Sequence, residues 1–282
     1  MNNKKIIWIS SYPKSGNTWM RYLLANYFYN LSKKFDPQII KNIEKFQIDY
    51  NLKKNLFQKE DLGKYPYNIS KYWIKSQEKI KIENGNTVFF KNHNALVSIN
   101  NNEFTNESLS LAAIYIVRDP RDVVVSYAKY RNLSYDQTIE NLISKNLFYV
   151  RSKDDPYNIE ILGSWKFHYN SWKNGLPSLP RIIVKYEDLL NDCYFYFLNV
   201  ISFLSKVLNF SINKEQISNS VEYSSFEKLK NYERNNNYFE NTGNNKFFRK
   251  GVSRDWVNEL TKEQIKKIEN EFSNEMDFLG YN

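Results

Sequence analysis

The stretch IIWISSYPKSGNTWMRYLLANYF, residues 6–28, decides how the chain is read. An apolar run, Ile6 to Ile9, ends in Ser-Ser-Tyr-Pro-Lys-Ser-Gly-Asn-Thr, and an amphipathic pattern follows at once. This predicts a buried strand, a short turn and a helix. In an open α/β sheet, ligands bind outside the carboxyl ends of the strands, so the turn stands where a ligand would. The helix start adds unpaired backbone N–H groups and the positive end of its dipole. Gly16 lets the backbone approach an anion closely, and Lys14 can set an ammonium against it. Ser15, Asn17 and Thr18 add donors, and Thr18 is also expected to cap the helix. The triphosphatase loop G-x-x-x-x-G-K-[ST] is not met, because there is one glycine and the lysine precedes it. On these residues alone, an ordinary strand–turn–helix joint with a solvated lysine stays open.

Four segments read as buried strands: KIIWIS (5–10), TVFFKN (87–92), LAAIYIVR (111–118) and RIIVKYE (181–187). Each is short, apolar and rich in β-branched or aromatic residues, as strands covered on both faces are. Helical patterns run over Thr18–Tyr29 and Arg121–Arg131, and Thr261 with Gln264 forms a capping box for a last helix reaching Glu275. The alternation predicts an α/β fold, a central parallel sheet flanked by helices. Residues 30–85 read as a less regular insertion of short helices and the Asn-rich 231–248 as a long mobile loop. The chain, 1–282, is taken as a single domain.

At 282 residues, 41% of them apolar and 17% aromatic, the chain can fill one core. A net charge of +9 attracts anions, but the cations are spread out. No basic arm or zinc-finger spacing supports sequence-specific nucleic-acid binding. The single cysteine, Cys193, excludes a disulfide framework and suits a reducing compartment. The apolar run near the N-terminus is too short for a signal peptide, and no stretch nears the roughly 18 residues of a membrane span. A cytoplasmic protein is expected.

Two further stretches invite an anion. In IVRDPRDVVVSYAKYR, Asp119 is a good N-cap and Pro120 suits the first helical position. Arg118 then sits at a strand's carboxyl end and, with Ser126 further along the helix, could bracket an anion. In FFRKGVSRDW, Arg249, Lys250 and Gly251 combine two cations with a backbone free to turn. Taken singly, each is better read as a stabilising joint or a surface turn.

Together these stretches resemble one family, the PAPS-dependent sulfotransferases of the soluble cytosolic type. YPKSGNTW resembles its 5′-phosphosulfate loop, IVRDPRDVVVSY its 3′-phosphate segment, and RKGVSRDW its C-terminal R-K-G-x-x-G-D-W box. KNH (91–93), GSWKFHYNSW (163–172), VKYEDL (184–189) and YSSF (223–226) fall in the right order between them. Arg254 replaces the second glycine of the box, and Asn92 stands where the family has Thr. A positive φ at Arg254 would cost on the order of 1 kcal/mol. The dimerisation pattern of many animal members is missing after Trp256, so monomer and homodimer both stay open.

The resemblance implies a P-loop nucleoside-triphosphatase-like three-layer sandwich and transfer of a sulfuryl group from PAPS to a hydroxyl or amine acceptor. His93 follows a strand at its carboxyl end, where an imidazole suits a general base and equally a polar strand end. The family match favours the base. It further implies that Lys14 stabilises the leaving oxygen, Lys91 assists at the sulfuryl group, and Ser126 contacts Lys14 or the cofactor. Arg118, Ser126, Arg249, Lys250 and Gly251 are implied at the 3′-phosphate, and Tyr186, Ser224 and Phe226 near the adenine. Lys14, Ser15, Gly16, Asn17, Thr18 and Trp19 form the loop set, with Trp19 suited also to packing. His168 falls on the acceptor side, unassigned, or is structural beside Trp165 and Trp172. No metal is required, since Asp119, Asp122, Glu187 and Asp188 lack a ligand spacing. Two rivals are a P-loop kinase of a small molecule or nucleotide, and a non-catalytic polyanion binder.

Overall fold

A computed structural model describes residues 5–53, 67–82, 85, 87–146, 148–150, 159–236, 238, 240 and 246–282. The remainder of the expected insertion and of the expected Asn-rich loop lies outside the described residues. In chain order the elements begin with β1 (Lys5–Ser11), α1 (Asn17–Tyr29), β2 (Glu44–Lys45), α2 (Tyr50–Lys53), α3 (Trp73–Glu78) and β3 (Thr87–Asn92). The ribbon β4 (Ser98–Ile99) and β5 (Asn102–Glu103) leads to β6 (Ser110–Val117), α4 (Pro120–Arg131) and α5 (Tyr135–Ile143). Next come β7 (Phe148–Val150), β8 (Ile159–Ile161), α6 (Trp165–Asn174), β9 (Arg181–Lys185) and α7 (Tyr186–Asn191). The chain closes with α8 (Cys193–Leu208), α9 (Lys214–Tyr223), α10 (Phe226–Asn235) and α11 (Lys262–Leu279).

The strands form a five-stranded sheet in the order β2-β3-β1-β6-β9. β1 pairs parallel with β3, and β2 parallel with β3. Ile6 to Ile9 are fully buried, which is why these four positions of β1 are all apolar rather than alternating. Register sets Ser10 opposite Asn92, so the carboxyl ends of β1 and β3 finish level.

The chain divides into two compact units that interleave in sequence. The first comprises 1–12, 44–115 and 144–183. Trp8 centres its core, ringed by Phe46, Phe90 and Phe104 at 5.4, 6.4 and 5.1 Å between centroids. The Trp8 indole N–H donates to Ser110 Oγ at 2.8 Å, so the one polar atom of that side chain is satisfied. α6 starts at Ser164, whose Oγ accepts from Phe167 N–H at 3.2 Å. Its buried face is Trp165, His168, Tyr169 and Trp172, a helical stripe of i, i+3, i+4 and i+7.

The second unit comprises 13–43, 116–143 and 184–282. α4 is capped as expected: the Asp119 side chain accepts from Arg121 N–H at 2.9 Å, with Pro120 at the first position. α11 carries the Thr261–Gln264 capping box and runs beyond Glu275 to Leu279, stopping at Gly280 with φ 68°. Arg121 gathers Asp119, Glu269 and the Tyr281 carbonyl, and lies 4.0 Å over the Trp256 ring.

Several boundaries differ from expectation. α1 begins at Asn17 with Gly16 as its N-cap at φ 100°, so Thr18 sits inside the helix and does not cap it. The glycine can take the left-handed turn that a capping side chain would otherwise replace. β9 ends at Lys185, and Tyr186 and Glu187 open a helix instead. Residues 231–235 belong to α10 rather than to a loop.

Candidate active site

In the first unit, His93 follows β3 directly and is 9% exposed. Its Nδ1 lies 2.7 Å from the Ser11 carbonyl oxygen and 3.4 Å from Ser11 Oγ. A carbonyl can only accept, so Nδ1 carries a proton and the basic lone pair of the ring is the one at Nε2. The main chain of His93 is held as well. Its N–H donates to Glu160 Oε1 at 3.0 Å, and its carbonyl accepts from His168 Nε2 at 3.0 Å. Lys91 is buried on β3, opposite Ile9 of β1.

In the second unit, Lys14 stands in a left-handed conformation, φ 69°. Its ammonium lies 4.1 Å above the Tyr130 ring and 4.7 Å from that of Phe247. Burial first, then Arg118 and Arg249, pushes its pKa down to about 7. Arg118 Nη1 donates to the Lys14 carbonyl at 3.2 Å, and Nη2 to the Val252 carbonyl at 2.9 Å. The Arg118 guanidinium is stacked 4.3 Å over Tyr186. Tyr186 in turn lies so close to Gly16 that a Cβ there would meet its Cδ2 at 2.6 Å. Gly16 is thus required twice, for its dihedrals and for the ring. Ser15 Oγ, Trp19 Nε1 and Arg118 Nε are buried with no hydrogen-bond partner among the described residues. Trp19 packs edge-on against Tyr186 at 5.9 Å.

The remaining expected residues divide. Arg249 and Lys250 both hold Asp255, each at 2.6 Å. Gly251, φ 66°, lies under Phe226, where a Cβ would meet Cδ2 at 2.5 Å. Ser224 is fully buried and its Oγ accepts from Asn26 Nδ2 at 3.1 Å. Asn17 and Thr18 are buried on the first turn of α1. Ser126 is half-buried on α4 and joins none of these contacts. Arg254 does adopt φ 61°, and its N–H donates to Asp122 Oδ2 at 2.7 Å. Sequence reasoning missed Tyr130, Phe247, Asp255, Ser11 and Glu160. Only Phe247 and Asp255 had a signal, as neighbours of the Arg249–Lys250–Gly251 run.

A parallel α/β sheet with a glycine loop after its first strand defines the P-loop-like class of fold. Within it, a family model for the sulfotransferase domain matches residues 4–280, and the chain belongs to the sulfotransferase family. It is 25% identical to the amine sulfotransferase of Oryctolagus cuniculus, over 96% of this chain and 80% of the relative. It is 26% identical to the flavonol 4′-sulfotransferase of Flaveria chlorifolia, over 97% and 80%. The crystal structure of mouse sulfotransferase SULT7A1 complexed with PAP has TM-score 0.58 at 21% identity, with 97% of this chain and 85% of that one covered. Retinol dehydratase in complex with androsterone and inactive cofactor PAP gives 0.60 at 18%, with 98% and 81% covered. These two structures share the fold. Among the described residues, no helix is long and apolar enough to cross a membrane.

Proposed function

We propose that this chain is a PAPS-dependent sulfotransferase of the cytoplasm, acting on a hydroxyl or amine, with His93 as general base. The bond from His93 Nδ1–H to the Ser11 carbonyl carries the reading, because it leaves the Nε2 lone pair as the proton acceptor. The second unit suits an anionic nucleotide. A buried donor left without an acceptor costs about 1–3 kcal/mol, and Ser15 Oγ and Arg118 Nε are two such donors, on the residue after Lys14 and on the arginine that holds the Lys14 carbonyl.

PAPS supplies the activated sulfuryl group on its 5′-phosphate. Lys14, with Ser15, Gly16, Asn17, Thr18 and Trp19, holds that phosphate, and Lys14 neutralises charge on the departing oxygen. Lys91 assists at the sulfuryl group. Arg118, Ser126, Arg249, Lys250 and Gly251 hold the 3′-phosphate, with Asp255 keeping the two C-terminal cations in place until it arrives. Tyr186, Ser224 and Phe226 line the adenine. His93 Nε2 removes the acceptor's proton as its oxygen or nitrogen attacks. Membership of the sulfotransferase family sets the kinase reading aside.

Thermal shift tests the cofactor, since a ligand of the folded state stabilises it by mass action. PAP should raise Tm and Mg·ATP should not; the reverse pattern would sink the proposal. Sulfate transfer from PAPS to a panel of phenols, alcohols and amines tests the base. His93→Ala should lose about 10²–10⁴-fold in kcat with PAP binding retained.

A further inference from the structure

The motif GSWKFHYNSW has no part in the chemistry above, yet its helix is bonded to the segment that bears His93. On α6, His168 Nε2 meets the His93 carbonyl at 3.0 Å. One turn on, Trp172 Nε1 donates to the Asn94 carbonyl at 2.9 Å. Between them in sequence, Ser171 Oγ accepts from Leu96 N–H at 2.9 Å. Three side chains on one helix thus hold the backbone of residues 93–96, the stretch that carries the His93 ring.

We propose that α6 is a splint for the base, and that His168, backed by Tyr115, is its positioning residue. This rests on the reading of His93 as base. The direction of each bond follows from chemistry. The His93 carbonyl only accepts, so His168 Nε2 carries the proton and its Nδ1 is the acceptor. The Tyr115 hydroxyl, 2.9 Å from that Nδ1, is then the donor. The hydroxyl therefore selects the His168 tautomer, and the tautomer selects the bond to His93. His168 is fully buried, and burial pushes its pKa down to about 4, so it stays neutral across neutral pH. Both of its ring nitrogens are engaged, Nε2 by the His93 carbonyl and Nδ1 by Tyr115, so it orients the base without relaying a proton. Glu160 on the His93 N–H and Ser11 on Nδ1 complete the hold. The residues involved all lie in the first unit.

Three variants test this with steady-state kinetics, PAP thermal shift and imidazole nitrogen NMR. His168→Leu removes the donor, and His168→Gln keeps an amide N–H at comparable reach. A misplacement of about 1 Å at a reacting group costs on the order of 10²-fold. His168→Leu should therefore lose about tenfold to 10²-fold in kcat, with PAP binding unchanged and the His93 ring no longer solely the Nδ1–H tautomer. His168→Gln should recover most of that loss and restore the tautomer. Should His168→Leu fail to fold, Tyr115→Phe with His168→Gln decides. Tyr115→Phe should lower kcat and broaden or shift the His168 nitrogen signals. Wild-type kcat in His168→Leu, no rescue by His168→Gln, or wild-type kcat in Tyr115→Phe would overturn the proposal. If His93→Ala stays active, the base reading falls instead. The tautomer signals then still report whether the splint exists.

Discussion

The two units treat their polar groups in opposite ways. Around His93 the bonds have a definite donor and acceptor: Ser11 on the ring, Glu160 and His168 on the main chain. Around Lys14, the contacts are incomplete. The ammonium faces two aromatic rings, its backbone is left-handed, and Ser15 Oγ and Arg118 Nε stand without partners. A proton acceptor must be aimed before its substrate arrives. An anion loop can leave donors for the anion to satisfy. The bonds that hold His93 are paired within the first unit, whereas the second unit leaves buried donors at Ser15 and Arg118.

Four measurements would break or sharpen that contrast. The largest effect is expected in the first unit. His168 has a native pKa near 4 against 6.5 in the unfolded chain. Between those values the unfolded state binds more protons, so stability falls as pH falls through this window and is fully present above it. The loss is about 3 kcal/mol. Urea unfolding at pH 7 and pH 4.5 checks it, with His168→Leu as a control that should show a flatter profile. An equal pH slope in both would remove His168 as the cause.

In the second unit, an anion beside Lys14 should raise its pKa from about 7 towards its ordinary value. The bound state then holds a proton that the free state has released. PAP affinity should be flat below pH 7 and weaken above it, by up to about tenfold per pH unit. Calorimetry in buffers of different ionisation enthalpy, at pH 6 to 9, would also count the proton taken up. Affinity independent of pH across that range would show that Lys14 meets no anion.

Gly16→Ala should cost about 2 kcal/mol, since alanine at φ 100° is strained and its Cβ would displace the Tyr186 ring. PAP stabilisation should fall with it; a neutral outcome would show that the loop relaxes freely. The smallest effect is a gain. Arg254→Gly removes a left-handed side chain at φ 61° and should raise stability by about 1 kcal/mol. A loss there would mean that the Arg254 side chain makes contacts outweighing its strain.

Much of this was legible in the linear chain. Apolar runs bounded by Gly, Pro and Asp announced the four long strands, and at the centre of the sheet burial on both faces leaves no alternation, although the edge strand β9 is mostly half-buried. Asp119–Pro120 and Thr261–Gln264 announced helix starts, because a cap acts within three or four residues. The two-residue β2 was not legible, because its pairing with β3 is set by the partner strand rather than by its own pattern. Tyr186 was misread as the end of a strand. Its place at the head of α7, under Gly16, depends on a loop far away in sequence.

The sequence by itself determined the fold class, the sulfotransferase motifs and the residue types at the candidate site. Those are carried by hydrophobic period, turn chemistry and short spacings, which are local properties of the chain. Only the tertiary structure decided which nitrogen of His93 bears its proton, that His168 holds the His93 carbonyl, and that Tyr130 and Phe247 enclose Lys14. Hydrogen-bond direction and burial belong to pairs of residues brought together by folding, and no spacing along the chain encodes them.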